Sequence, residues 1–107
     1  MAREYVEAKI QAEKVVVFVK EACPYCTLAK SVLEKYDWKP DRLEIHDITG
    51  HPDMREIQDY FRSKTGASTV PRVFIGTECV GGGSDVQQLN DHGLLKDKLT
   101  AIGVLSS

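Results

Sequence analysis

The run Val15-Val-Val-Phe-Val19, followed at once by Lys20 and then by Cys23-Pro-Tyr-Cys26, constrains this chain more than any other feature. A stretch that is β-branched or aromatic and apolar on both faces suits a strand covered on both sides. The two cysteines then fall between that strand and the segment TLAKSVLEKY, where Leu28, Val32, Leu33 and Tyr36 recur at helical spacing. Cys23 therefore stands where unpaired backbone N–H groups point outward and a helix carries partial positive charge. A thiolate is favoured there, and its pKa is expected to fall from about 8.5 into the range of roughly 3.5–7.5. Lys20 at the strand end adds a second positive influence. Pro24 fixes the turn and omits a backbone donor that the first helical position does not use. Cys26, a turn into the helix, is expected to be more shielded and to keep a higher pKa. One sulfur attacks and the other resolves, which is thiol–disulfide exchange through a mixed disulfide.

The competing reading of Cys-x-x-Cys is half of a zinc site. A closed structural site needs four ligands, usually with a second Cys or His pair at short spacing. Only Cys79, His46, His51 and His92 remain, and no two of them form such a pair. A Cys-x-x-Cys beside a βαβ pattern favours redox chemistry, so no metal is expected. Three cysteines also fit poorly with a secreted disulfide scaffold. Fourteen basic against sixteen acidic residues give a formal net charge of −2, which argues against a broad nucleic-acid surface. No apolar run approaches the roughly 20 residues of a membrane span, and the first residues have no apolar signal core. The expectation is a cytoplasmic protein with one domain over residues 1–107.

The rest of the chain supplies the other elements. Residues 3–13 read as a helix with Tyr5, Val6 and Ile10 inward. Trp38-Lys-Pro40 interrupts the helix that follows the cysteines. Leu43 and Ile45 alternate with polar residues, predicting a strand over 42–48. Pro52 is expected in the first positions of a helix whose inner face is Met54, Ile57 and Phe61 and which runs to about Lys64. Val70 to Ile75 and Glu78 to Val80, around Gly76-Thr77, predict a hairpin. Ser84-Asp85 is a good helix-cap pair. Val86, Leu89, Leu94, Leu95, Leu99 and Ile102 form the inward stripe of one or two closing helices. The order αβαβαββα(α) predicts an α/β fold, a four-stranded mixed sheet with helices on both faces. His46 and His51 are expected at the surface, Arg72 is expected to steer acidic substrates, and Cys79 is expected to pack as a small strand hydrophobe.

Cys23-Pro-Tyr-Cys26, Thr69-Val-Pro71 and Gly81-Gly82 with Ser84-Asp85 together resemble the dithiol glutaredoxins in order and separation. Ile57-Gln-Asp-Tyr-Phe61 and Pro71-Arg-Val-Phe-Ile-Gly76 look like family segments too. The resemblance spans about residues 5–103 and implies a thioredoxin fold, with glutathione as co-substrate and no tightly bound cofactor. It implies that Lys20 and Gln58 hold the glycine carboxylate, and that Val70, within Thr69-Val-Pro71, pairs its backbone with the cysteinyl part. Pro71 is then cis, and Tyr25 lines the groove beside the sulfur. Ser84 and Asp85 meet the γ-glutamyl end, the carboxylate at the backbone N–H groups and the ammonium at Asp85.

The implied activity is reduction of glutathionylated proteins and of protein disulfides, with Cys23 as nucleophile and Cys26 as resolving thiol. Partners would be glutathione, such proteins and, indirectly, glutathione reductase, with the chain acting as a monomer. Two departures stand out. Ser68 occupies a position where many relatives carry a basic residue, leaving Lys20 and Gln58 more of the carboxylate binding. Gly83 stands where some relatives have another cysteine. An iron–sulfur carrier is disfavoured by Pro24-Tyr25, and a non-enzymatic adaptor by the intact nucleophile.

Overall fold

The computed structural model describes residues 1–106. Its elements run α1 (Ala2–Lys9), β1 (Val15–Val19), α2 (Pro24–Glu34), β2 (Leu43–Asp47), α3 (Met54–Thr65), β3 (Arg72–Ile75), β4 (Glu78–Gly81), α4 (Gly83–Asp91) and α5 (Leu94–Ala101). The sheet order is β2-β1-β3-β4. β1 pairs in parallel with β2 and antiparallel with β3, which pairs antiparallel with β4. The mixed four-stranded sheet expected from the element order is the one observed.

β1 is buried along its whole length because the two alternating sets of its residues enter different cores. Val15, Val17 and Val19 join Val73, Ile75, Ala29, Leu33, Val86 and Leu99 under α2, α4 and α5. Val16 and Phe18 join Phe74, Val6, Ile57 and Phe61 under α1 and α3. Phe18 is fully buried, with its ring centroid 5.1 Å from Phe61 and 6.0 Å from Phe74. β1 is thus clamped from both sides, and its C-terminal end is a fixed base for the segment carrying the cysteines.

Several boundaries differ from expectation, each for a tertiary reason. α1 stops at Lys9, with Ile10 extended (φ −77°, ψ 124°) and packed toward the α1/α3 core, so that residues 10–14 can turn back into β1. Gln11-Ala12-Glu13 would suit a helix, but core packing overrides that propensity. α2 ends at Glu34, earlier than the proline requires. Trp38 donates from its indole to the Leu33 carbonyl at 2.7 Å and bridges to Leu105. Pro52 lies in the turn ahead of α3, not within it, because Asp53 is the cap residue and its N–H donates to His51 Nδ1 at 3.0 Å. Leu94, expected inward, is 49% exposed at the first position of α5. Neither His46 nor His51 is a free surface group. His46 lies against Phe18 and 3.0 Å from a Glu44 oxygen, and His51 packs tilted against Tyr5 with ring centroids 4.7 Å apart.

α1 and α3 are also tied by charge. Glu7 accepts from the Tyr60 hydroxyl and pairs with Lys64 at 2.8 Å. The Lys64 ammonium, then the Tyr60 hydroxyl, hold the Glu7 carboxyl below its ordinary value of 4.5, and Glu7 raises Lys64 above 10.5. A depressed carboxylate pKa stabilises the fold above the unfolded value and loses that contribution as pH falls through the folded one. The raised Lys64 contributes below its unfolded pKa and is lost as pH rises through the folded value. Glu7→Gln is therefore expected to lower stability at pH 7 by about 0.5–1 kcal/mol, a modest figure because the pair is partly solvated. Thermal melts from pH 3 to pH 7 check this: the gap between wild type and variant should begin to narrow as pH falls below about 4.5 and close only below the depressed folded value. A gap unchanged at pH 3 would assign the loss to packing.

Candidate active site

The chain leaves β1 through Lys20, Glu21 and Ala22, the last in the left-handed region at φ 53°. That turn presents Cys23 as the N-cap of α2, with φ −120° and ψ 102°. Pro24 occupies the first helical turn, where its missing N–H leaves nothing unpaired. The Cys26 N–H donates to Cys23 Sγ at 3.2 Å, so a helix N-terminal donor is aimed at this sulfur. No acidic side chain occupies the first turn of α2, so the positive end of the helix is not neutralised there. Hydrogen bond and helix end together favour negative charge on Cys23 Sγ.

Cys23 and Cys26 are joined as a disulfide, with their Cα atoms 5.2 Å apart. Cys23 is partly exposed, whereas Cys26 is 2% exposed and belongs to the α2/α4 core. An incoming thiol or disulfide thus meets Cys23 first, and Cys26 is placed to attack only a sulfur already attached to Cys23. Cys79, the free cysteine, is half-buried in β4 and lines neither groove beside the disulfide. Among the described residues, no cluster of His, Cys, Asp and Glu could hold a metal ion.

Two grooves flank the disulfide. One, about 330 Å³, runs between the Tyr25 side and the segments 69–72 and 82–85. It brings together Tyr25, Thr69, Val70, Pro71, Ser84 and Asp85, and adds Arg72, Gly82 and Gly83. The Val70–Pro71 bond is cis, and the Val70 carbonyl oxygen lies 3.8 Å from Cys23 Sγ. β3 begins only at Arg72, so Val70 is an irregular approach to the strand and not its first residue. Tyr25 is 59% exposed at the groove edge.

The far wall depends on close backbone packing. Gly81 has φ 110°, a conformation that L side chains rarely adopt, and a Cβ there would collide with the Asp85 carboxylate. A Cβ on Gly83 would collide with the Tyr25 carbonyl. The cap of α4 is Gly82, not the expected Ser84-Asp85 pair, which lies inside the first turn. Asp85 still performs part of the capping task, its Oδ2 accepting from the Gly82 N–H at 2.8 Å.

The second groove, about 430 Å³, lies on the other side of the disulfide and contains Lys20, Lys30 and Asp47 beside both cysteines. Lys20 is therefore near Cys23 but outside the Tyr25–Asp85 groove. Gln58 lines neither groove; its amide donates to the Ser68 carbonyl at 3.1 Å and steadies the loop leading to Thr69. Arg72, expected to steer acidic substrates, is buried at 7% exposure. Sequence reasoning missed it as a groove residue because an arginine in a strand ordinarily sends its charge to water; the only available signal was its place directly after Pro71.

A thioredoxin fold with an accessible N-cap cysteine, a buried partner three residues on and an adjoining cis-proline groove defines a dithiol oxidoreductase site. The glutaredoxin family profile matches residues 15–80. Glutaredoxin-1 of Homo sapiens is 50% identical over 105 residues, covering 98% of this chain and 99% of that protein. Glutaredoxin-1 of Oryctolagus cuniculus is 48% identical over 104 residues, covering 97% and 98%. Among solved structures, oxidised glutaredoxin 2 from Chlamydomonas reinhardtii superposes with a TM-score of 0.88 at 31% identity, covering 97% of this chain and 95% of that one. A buckwheat glutaredoxin–glutathione complex gives 0.88 at 28% identity, covering 99% and 94%. The chain belongs to the glutaredoxin family.

Proposed function

We propose that the protein is a glutathione-dependent thiol–disulfide oxidoreductase that reduces glutathionylated proteins and protein disulfides. The observation that carries this reading is the Cys26 N–H aimed at the accessible Cys23 sulfur beside the Tyr25–Asp85 groove. In the cycle, the Cys23 thiolate attacks the glutathione sulfur of a mixed disulfide. The protein–glutathione S–S bond breaks, the protein leaves as a thiolate that takes up a proton, and Cys23 holds glutathione. A second glutathione thiolate attacks the glutathione sulfur of that adduct, giving oxidised glutathione and returning Cys23 to thiolate. With a protein disulfide, Cys26 attacks the Cys23 mixed disulfide, releases the reduced protein and closes the Cys23–Cys26 bond, which two glutathiones reopen.

The remaining assignments extend that reading. Val70 offers backbone groups to the cysteinyl unit, flanked by Thr69 and Pro71. Asp85 takes the γ-glutamyl ammonium and the start of α4, at Ser84, takes its carboxylate. Lys20, with Gln58 steadying the loop at Ser68, serves the glycine end, and Tyr25 shields the reacting sulfurs. Both cysteines and the groove come from one chain, which supports action as a monomer. A reducing compartment such as the cytoplasm is the proposed setting, because the cycle consumes reduced glutathione.

The test is reduction of a glutathionylated peptide with glutathione, glutathione reductase and NADPH. Turnover proportional to added protein is the expected result. NADPH consumption no faster than without the protein would overturn the proposal.

A further inference from the structure

Arg72 is the only charged side chain that is buried among the described residues, at 7% exposure. Its Nε donates to the Pro71 carbonyl at 3.2 Å and its Nη1 to Thr65 Oγ1 at 3.4 Å. Both partners are neutral. No carboxylate among the described residues lies within 4.0 Å of the guanidinium. Nη2 lies on the side of Gly82, 3.4 Å from where a Cβ of that residue would be, and Arg72 is part of the groove wall.

A buried cation without a counter-ion is unfavourable, and the carbonyl end of α3 at Thr65 offsets only part of the cost. An arginine in this position is a preformed anion receptor: the fork is planar, always charged and held by two neutral acceptors. Its Nη2 lies beside Gly82, the N-cap of α4, and the backbone N–H groups of a helix start also favour an anion. We propose that Arg72 is a specificity-determining residue of the groove, its free guanidinium edge taking the α-carboxylate of the γ-glutamyl group of glutathione. The inference rests on the proposed function and deepens it. Asp85, oriented by the Gly82 N–H, faces the ammonium on the same carbon, so Arg72 and Asp85 read the two charges of one amino-acid head group. Gly82 stands between them with no side chain: a Cβ there would be 3.4 Å from Arg72 Nη2 and 3.9 Å from Asp85 Oδ2.

The experiment uses one peptide carried as two mixed disulfides. One adduct is glutathione; the other is 4-aminobutanoyl-Cys-Gly, which keeps the ammonium and lacks only the α-carboxylate. kcat/KM for the adduct reports the first half of the cycle alone. Arg72→Gln is expected to lower kcat/KM about tenfold on the glutathione adduct and to stay within about twofold of wild type on the other. Arg72→Lys keeps the charge and loses the fork, so it should fall between wild type and Arg72→Gln on the glutathione adduct only. It carries the same comparison if Arg72→Gln does not fold. Equal losses on both adducts would make Arg72 a structural residue, and no loss on either would make it irrelevant to the groove; both overturn the inference. Wild type inactive on both adducts overturns the proposed function itself, a result seen before any variant is made.

Discussion

Cys23→Ser is expected to abolish reduction of a glutathionylated peptide, by at least about a thousandfold, because it removes the nucleophile itself. Cys26→Ser is expected to stay within about fivefold of wild type on the same substrate, since the second glutathione, not Cys26, completes that cycle. The asymmetry follows from the structure. Cys23 is the partly exposed cap of α2 and receives the Cys26 N–H at 3.2 Å, whereas the Cys26 side chain is buried in the core. On a protein disulfide the pattern changes, because Cys26 must then release the bound protein. Cys26→Ser should accumulate a protein–protein mixed disulfide there, visible on a non-reducing gel. Steady-state rates of the two variants on both substrates decide the assignment; equal impairment on the glutathionylated peptide would contradict it.

The largest expected effect on stability is at Phe18. Its ring is fully buried among Phe61, Phe74, Tyr5 and His46. Phe18→Ala is expected to cost about 3–5 kcal/mol through lost apolar burial and the cavity left behind. Domains are stable by only about 5–15 kcal/mol, so the loss is a large share of the total. At about 4–8 °C per kcal/mol for a domain near this size, the melting temperature should fall by at least about 12 °C. Calorimetry or circular dichroism reads this directly. A fall of only a degree or two would mean that the α1/α3 core does not depend on this ring. The consequence reaches the site, because β1 carries both Phe18 and the exit toward Cys23. Lost anchoring should therefore also raise hydrogen exchange in the turn at residues 20–23.

The features most legible from the sequence were those whose signal is local and repeated. β1 announced itself because both of its alternating sets are apolar, which a strand solvated on one face does not show. The dithiol was legible as chemistry because a strand before it and a helical period after it set Cys23 at a helix start. Features that depend on tertiary contact were not. α1 gives up Gln11-Ala12-Glu13, good helix formers, so that Ile10 can reach its core. The cap of α4 fell on Gly82, which has no side chain to advertise it, while Ser84 and Asp85, inside the first turn, carried the stronger cap pattern. Nothing in a linear pattern separates the two grooves beside the disulfide, so it could not be seen that Lys20 lies in one and Asp85 in the other. The cis bond before Pro71 came only through the family resemblance, and the burial of Arg72 came only from the structure.

The central claim is that Cys23 forms the covalent bond to glutathione. Its most direct test is to treat the Cys26→Ser variant with oxidised glutathione, remove excess reagent, and map the modified residue by mass spectrometry of the intact and digested chain. The account predicts one glutathione per chain, on Cys23, removed by added reduced glutathione. A chain modified at Cys79, or left unmodified while Cys23 is free, would contradict it.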